Sequence, residues 1–152
     1  MKASTAILVV VFGGMGLLAG LGGFTFQRAE GHSYLSDDPA ACMNCHVMRE
    51  QYEAWNHSSH RSWASCNDCH TPPGVVGKWV TKAINGWNHS VAFTLMNFDE
   101  PIRAKDWNRE ISVNRCLDCH STMVAHMEVR PGDVEGARCL HCHGNPGHQT
   151  RR

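Results

Sequence analysis

The chain has 152 residues, about one domain's worth, and eight of them are cysteine. Hydrophobic residues make up 42% of the sequence, but Ala3–Phe26 supplies much of that share. The remainder is poor in Ile, Leu and Val and could not build a large aliphatic core by itself. Lys and Arg total 14 against 14 Asp and Glu, a balance that excludes the strongly basic surface needed for binding nucleic acids.

The N-terminal segment from Ala3 to Phe26 carries no charged residue. As a helix it would reach about 36 Å, enough to span a bilayer core, whereas the apolar part of a cleaved signal peptide is usually shorter. We therefore predict an uncleaved anchor, with a signal peptide as the alternative. Lys2 precedes the segment and positive charge tends to stay cytoplasmic. Residues 1–28 should thus anchor the chain with its N-terminus inside, and residues 29–152 should lie outside.

All eight cysteines fall into C-x-x-C pairs, and a histidine follows each pair directly. Disulfides, zinc and covalent haem all use such pairs, but zinc knuckles have no need of the trailing His. Haem c does need it, because the two thiols form thioethers with the porphyrin and the adjacent imidazole binds the iron. The motifs therefore predict four covalently bound haems c. Their residues are Cys42, Cys45 and His46; Cys66, Cys69 and His70; Cys116, Cys119 and His120; Cys139, Cys142 and His143.

The spacing of the motifs predicts a duplicated two-haem module. The motifs begin at residues 42, 66, 116 and 139, so two halves at about 29–74 and 110–152 would flank an insert at 75–97. With haems as its interior, the fold would be mainly α with much irregular loop: a multihaem cytochrome c with one N-terminal transmembrane helix. The similar endings CNDCHTPPG and CLHCHGNPG place Pro and Gly just after a haem-binding His, where they would stop a helix.

The clearest helical pattern in the haem domain runs from about Val75 to Met96. Apolar residues cluster on one side of it, and a narrow polar stripe lies opposite. The apolar residues are Val76, Trp79, Val80, Ala83, Ile84, Trp87 and Val91, and the polar ones are Lys78, Lys82, Asn85 and His89. A helix on a membrane surface would have this pattern, and so would any amphipathic helix with one solvated face. A second helix is predicted at about Val47–His57, and a loop at Asp99–Arg109.

Seven histidines lie outside the motifs, while four haems leave at most four sixth-ligand positions. We favour His60, His126 and His148 as distal ligands, because each lies where a neighbouring motif's iron could be reached. Two axial histidines give low potentials suited to electron transfer. His57 and His141 are expected to be bystanders.

Met48 stands two residues after His46 in the first motif, CMNCHVM. Its thioether could compete for the same iron face, or it could simply fill a gap in the core. Spacing alone leaves both interpretations open.

The sequence resembles the membrane-anchored tetrahaem quinol dehydrogenases of the NapC/NirT type, and among them the small subunits of cytochrome c nitrite reductases. The resemblance rests on SYLSDDPAACMNCHVM at 33–48, HSSH at 57–60, KAINGWNHS at 82–90 and four haem motifs after a short anchor. It implies that Met48 replaces His46 as an axial ligand of the first haem. It also implies a quinol near that haem, with Lys82 beside it. His89 stands where these relatives carry an acidic residue.

The resemblance implies a function in anaerobic respiration. Menaquinol would be oxidised at a pocket formed by the end of the anchor, the insert helix and the first haem. Lys82 would hydrogen-bond a quinol oxygen, and His89, or else Glu50 or Glu53, would accept a proton. Electrons would leave through the haems to a periplasmic pentahaem nitrite reductase subunit, which reduces nitrite to ammonia. The chain would be a single-pass protein of the bacterial inner membrane, with its haem domain in the periplasm.

Two other functions remain open at this point. The chain could be an electron carrier without a quinol site, fed by another membrane subunit and serving another reductase. It could also be a reductase in its own right at an exposed iron. No motif has the C-x-x-C-K form of a catalytic nitrite-reducing haem, so no nitrite-reducing site is expected here.

Overall fold

A computed structural model of the chain describes residues 3–126 and 138–149, apart from the side chains of Arg138 and His141. Every regular element in these ranges is an α-helix or a 3-10 helix, and no strand occurs in them. This confirms the predicted fold class. The chain divides into two compact units, Met1–Ser36 and Asp37–Arg152.

The first unit consists of helix α1, Ala3–Arg28, and a short 3-10 helix at Gly31–Leu35. In length and composition α1 could cross a membrane, since its mean hydropathy reaches 2.2 and none of its most apolar window is buried inside the protein. The first charged side chain after Lys2 is Arg28, at the last turn, where a cation also meets the negative end of the helix dipole. These properties suit a membrane anchor.

The second unit begins with two 3-10 helices, Pro39–Asn44 and His46–Met48, followed by α2 at Arg49–Asn56. The prediction of a helix at Val47–His57 is thereby confirmed, with ends shifted by one or two residues. Asp38 caps the first of these 3-10 helices, Pro39–Asn44. Its carboxylate accepts a hydrogen bond from the Ala40 amide at 2.9 Å, and Pro39 has no amide hydrogen to satisfy.

Helix α3, Cys66–His70, carries the second motif. A capping box starts it: Asp68 Oδ2 accepts from both the Ser65 amide at 2.8 Å and the Ser65 hydroxyl at 2.7 Å. The helix ends at His70. A residue before proline, here Thr71, disfavours the helical conformation, and Pro72 and Pro73 cannot donate the amide hydrogen bonds that would continue the helix. The expectation that a helix stops just after this motif is confirmed.

Helix α4 spans Val75–Leu95, which confirms the helix predicted at 75–96. It starts after Gly74, whose φ of 88° suits glycine, and ends at Met96, which adopts the left-handed conformation with φ 51°.

Helix α5, Asp106–Val124, contains the third motif, and α6, Arg138–Cys142, contains the fourth. The loop predicted at Asp99–Arg109 is wrong in its last four residues, which form the first turn of α5. Asp106 favours a helix start there, because its negative charge lies at the positive end of the dipole, and Arg109 approaches it at 3.5 Å.

The polypeptide of the second unit buries very little. Among the described residues, only Val113, Thr71 and Thr81 are buried, and Val113 is the one apolar side chain of the three. This confirms the expectation that the chain itself builds no large aliphatic core. α3 and α5 pack together, and Arg115 of α5 donates a 2.8 Å hydrogen bond to the Asp68 carbonyl of α3.

Candidate haem and quinol site

The four cysteine pairs share one arrangement. In each, the first cysteine is half-buried and the second is exposed, and no disulfide joins them. Three pairs lie within helices α3, α5 and α6, where residues three apart fall on one face. The two thiols of a motif can therefore reach one porphyrin edge from the same side.

Successive motifs lie next to each other in the second unit. The Cys42 and Cys66 thiols hydrogen-bond, which with a smaller effect from Lys82 lowers the pKa of Cys42 to about 7. Burial, followed by the charges of Asp68 and Cys119, raises the pKa of Cys69. Burial, followed by Cys139, raises the pKa of Cys116 to about 11. The attachment points thus follow the order of the motifs along the chain.

Two motif histidines face a second imidazole from a distant segment. The rings of His60 and His120 have centres 6.1 Å apart and planes at 79°. The rings of His70 and His148 have centres 5.9 Å apart and planes at 4°. A metal–imidazole bond is about 2.0 Å and a ring centre lies about 1.1 Å from its nitrogen, so two imidazoles on opposite sides of one iron have centres about 6 Å apart. In both pairs the distance between ring centres matches that value.

The segments carrying His60 and His148 both lie near Trp55 of α2. Its indole nitrogen donates to the Ala64 carbonyl at 2.8 Å, closing the turn that contains His60. A Cβ placed on Gly147, the neighbour of His148, would lie 3.8 Å from the same ring. Trp55 therefore lies next to both segments.

His70 is the more strongly perturbed of the paired histidines. Although part of its ring remains accessible, desolvation by the surrounding chain, followed by the charge of His148, lowers its pKa to about 4. The neutral imidazole that results is the form that binds metals.

The remaining predicted ligands are placed less completely. For His46 and His143 no facing imidazole is found among the described residues, and His126 is exposed after α5. Met48 is half-buried at the end of the 3-10 helix that begins at His46, so its thioether lies within one turn of that motif. The roles of Met48, His126 and His143 stay predictions, and the His141 side chain lies outside the described residues.

His46 lines an open cavity on the first motif. Acidic and apolar side chains form its other walls. The lining residues are His46, Val47, Glu50, Gln51, Phe98, Glu100, Pro101 and Ile102. Glu50, one of the predicted alternative proton acceptors, therefore lies at the first motif.

Lys82 lies in a charged cluster that also holds Lys78, Asp37 and Asn67. Asp37 accepts hydrogen bonds from Lys78, from Lys82 at 3.3 Å and from Asn67 at 2.7 Å. The hydrogen bond from Lys78, followed by Lys82, lowers the pKa of the Asp37 carboxyl. The Lys82 side chain is only 10% exposed, and its charge acts on the Cys42 thiol. The predicted quinol-binding lysine thus lies at the first haem motif.

Asp37 is not among the site residues predicted from the sequence. The signal that could have found it is the acidic pair Asp37-Asp38, which three residues separate from Cys42 of the first motif.

His89 lies seven residues after Lys82, two helical turns along the same side of α4. Burial, followed by the charge of Lys105, lowers its pKa below the usual value for histidine. Nearby, the Asn85 and Asn108 amides exchange two hydrogen bonds of 3.1 and 3.0 Å, which tie α4 to α5. His89 is therefore mostly neutral at physiological pH and able to accept a proton.

The sequence matches the NapC/NirT cytochrome c family, N-terminal region, over residues 1–152. It is 40% identical over 140 residues to the cytochrome c-type protein NrfH of Wolinella succinogenes, covering 85% of this chain and 78% of that protein. It is 31% identical over 120 residues to the cytochrome c nitrite reductase subunit NrfH of Nitratidesulfovibrio vulgaris, covering 77% of this chain and 71% of that protein.

The fold is similar to a chain in the crystal structure of the cytochrome c nitrite reductase NrfHA complex bound to the HQNO inhibitor. The TM-score is 0.62 at 28% identity, and the match covers 92% of this chain and 90% of that one. The C-x-x-C-H motifs, the helical fold and the match along the full sequence lead to one conclusion. The chain belongs to the NapC/NirT cytochrome c family, in which haem c is bound covalently.

Proposed function

We propose that the protein is a membrane-anchored tetrahaem cytochrome c that oxidises menaquinol and passes the electrons to a periplasmic nitrite reductase catalytic subunit. The observation that carries the proposal is Lys82, nearly buried and held by Asp37 beside the first haem motif. Its relatives add support, since two are named NrfH and one solved structure is a nitrite reductase NrfHA complex.

The paired histidines supply ligands for the two middle haems. His70 and His148 would hold the haem of the second motif, and His120 and His60 that of the third. Met48 would bind at the first motif and His143 at the fourth. When bound, haem c supplies one-electron transfer. His126 would supply a further iron ligand, and the partner reductase could supply one to the exit haem.

Lys82 and His89 would have different roles at the quinol, Lys82 as a hydrogen-bond donor and His89 as a proton acceptor. Oxidation of a quinol to a quinone removes two electrons and two protons. The Lys82 ammonium would donate a hydrogen bond to one quinol oxygen and orient the ring. Neutral His89 would accept the two protons one at a time and release each to water, with Glu50 or Glu53 as alternative acceptors, and the two electrons would leave singly through the haems. Asp37 fixes the lysine, so the donor is already in place when the quinol arrives.

In this proposal residues 1–28 form the anchor, with the N-terminus in the cytoplasm. Residues 29–152 form the periplasmic haem domain, as two two-haem halves around the insert 75–97. The protein would work as a hetero-oligomer with the reductase.

The test is Lys82→Leu, in the full chain with its haems attached. We expect quinol-dependent haem reduction to be lost, while dithionite still reduces all the haems. Arg103→Leu, which removes an exposed positive charge from the loop before α5, should leave the quinol rate unchanged. An unchanged quinol rate in Lys82→Leu would instead favour the electron carrier without a quinol site.

A further inference from the structure

Helix α4 presents its faces in the reverse of the usual order. The polar side points into the second unit: Thr81 is 2% exposed, and Lys82 is held by Asp37. The apolar side points outward, with Val76 78%, Trp87 73% and Val80 51% exposed. An ordinary surface helix of a soluble domain buries its apolar face instead.

The outward face is continuous and carries no charge. At 100° per residue it covers about 140° of the helix circumference, and each of its residues is exposed. They are Val76, Trp79, Val80, Ala83, Ile84, Trp87, Ser90, Val91 and Thr94. A patch of this kind marks an interaction site and not a solvated surface.

The first haem motif lies toward the other side of this helix. Lys82, on the polar side, acts on the Cys42 thiol of the first motif and is bonded to Asp37 just before it. The apolar face is therefore turned away from the first motif.

Chain connectivity and two tryptophans indicate what covers the apolar face of α4. Asp37 follows Arg28, the end of the anchor helix, by nine residue steps, which span at most about 30 Å. Because Asp37 is bonded to Lys78 and Lys82, this connection limits how far α4 can lie from the end of the anchor helix. Two tryptophans, Trp79 and Trp87, lie on the outward face, and tryptophan is the residue that favours the membrane–water interface.

We infer that the outward face of α4 binds the lipid bilayer, with the helix lying at the headgroup level. Binding comes from insertion of apolar side chains and not from attraction to anionic lipids, because the face has no charge and both neighbouring lysines are held by Asp37. This inference goes beyond the proposed function, since it holds whether or not the chain oxidises quinol.

The experiment uses the full chain with its haems in nanodiscs of phosphatidylcholine. A fraction of the lipid carries a photoactivatable diazirine in its acyl chain, and labelled tryptic peptides are located by mass spectrometry. We expect label in α1 and in residues 83–103, mainly at the outward positions of α4. Replacing a third of the lipid by phosphatidylglycerol should leave this label unchanged.

Ile84→Glu/Trp87→Glu should lower the label in residues 83–103 several-fold without changing the haem spectrum, because both side chains are exposed in the folded protein. Trp63→Glu, which alters an 88% exposed tryptophan outside α4, should leave the label in α4 unchanged. Label in α1 with none in residues 83–103 would overturn the inference. Label that requires anionic lipid would also overturn it.

Discussion

At the scale of single residues, the charged cluster on α4 depends on one carboxylate. Asp37 binds two lysines and an asparagine while remaining largely exposed itself. Its lowered pKa shows that it stays ionised at physiological pH. An exposed ion pair contributes little to stability, so the expected role of Asp37 is to position the Lys82 ammonium.

Asp37→Asn should therefore slow quinol-dependent haem reduction several-fold with little change in stability, because the neutral amide holds the ammonium groups less firmly. Stopped-flow reduction by a menaquinol analogue measures the rate. Asp38→Asn is the matched control, since asparagine also caps a helix and the cluster keeps its acceptor. An unchanged rate in Asp37→Asn would show that Asp37 does not position Lys82 for the reaction.

If His89 is the proton acceptor, the rate of quinol-dependent haem reduction should depend on pH in a specific way. Its pKa lies below the usual 6.5 because burial and Lys105 disfavour the charged ring, so the neutral base should be present above about pH 6.5 and lost at lower pH. Relative to the unmodified protein at each pH, His89→Gln should be slower by about 10²-fold or more where the base is neutral. The difference should shrink as the pH falls.

His89→Asp should restore part of the rate and move the acidic limit to lower pH, since a carboxylate remains ionised there. Rates of all three proteins against pH check this. If His89→Gln leaves the dependence of the rate on pH unchanged, the proton acceptor is Glu50 or Glu53 and not His89.

At the scale of the elements, the two histidine pairs differ in the angle between their rings. An imidazole interacts with the iron d orbital perpendicular to its own plane, so parallel rings separate the two dπ orbitals and perpendicular rings leave them nearly equal. The pair at 4° should give a rhombic EPR signal, and the pair at 79° a strongly anisotropic one with a large maximum g value.

His148→Ala should remove the rhombic signal, and His60→Ala should remove the anisotropic one. The control is His57→Ala, because His57 is exposed and its Nδ1 bonds to the Glu53 carbonyl within α2. EPR of the oxidised proteins checks the assignment. Loss of the same signal in both His148→Ala and His60→Ala would contradict it.

Much of the element order was predictable because strong local signals mark it. The 3.6-residue period defined α4 within one residue, and Thr71-Pro72-Pro73 marked the end of α3. The first turn of α5 was missed, because Pro101 suggested a longer loop and a motif rich in polar residues weakens the apolar period. Periodicity also located the apolar and polar sides of α4, but it could not show which side packs against the rest of the protein. That depends on Asp37, which lies 41 residues before Lys78.

At the scale of the whole molecule, the scarcity of buried apolar side chains links cofactor attachment to folding. One apolar side chain, Val113 of α5, is buried among the described residues, and α5 packs against both α3 and α6. A domain of this size that buries so little requires an additional source of stability. Attachment of haem to the α5 motif, which lies between two other motifs, should supply a large part of it.

Cys116→Ala/Cys119→Ala should therefore make the second unit, Asp37–Arg152, highly sensitive to protease and reduce haem attachment at the other motifs. Cys139→Ala/Cys142→Ala is the matched variant, because it removes attachment at the terminal helix α6 and leaves α3 and α5 packed together. It should retain most of the resistance. Limited proteolysis of membranes, with haem-stained gels, measures both. Equal resistance of the two variants would mean that the polypeptide holds α3 against α5 without the third haem.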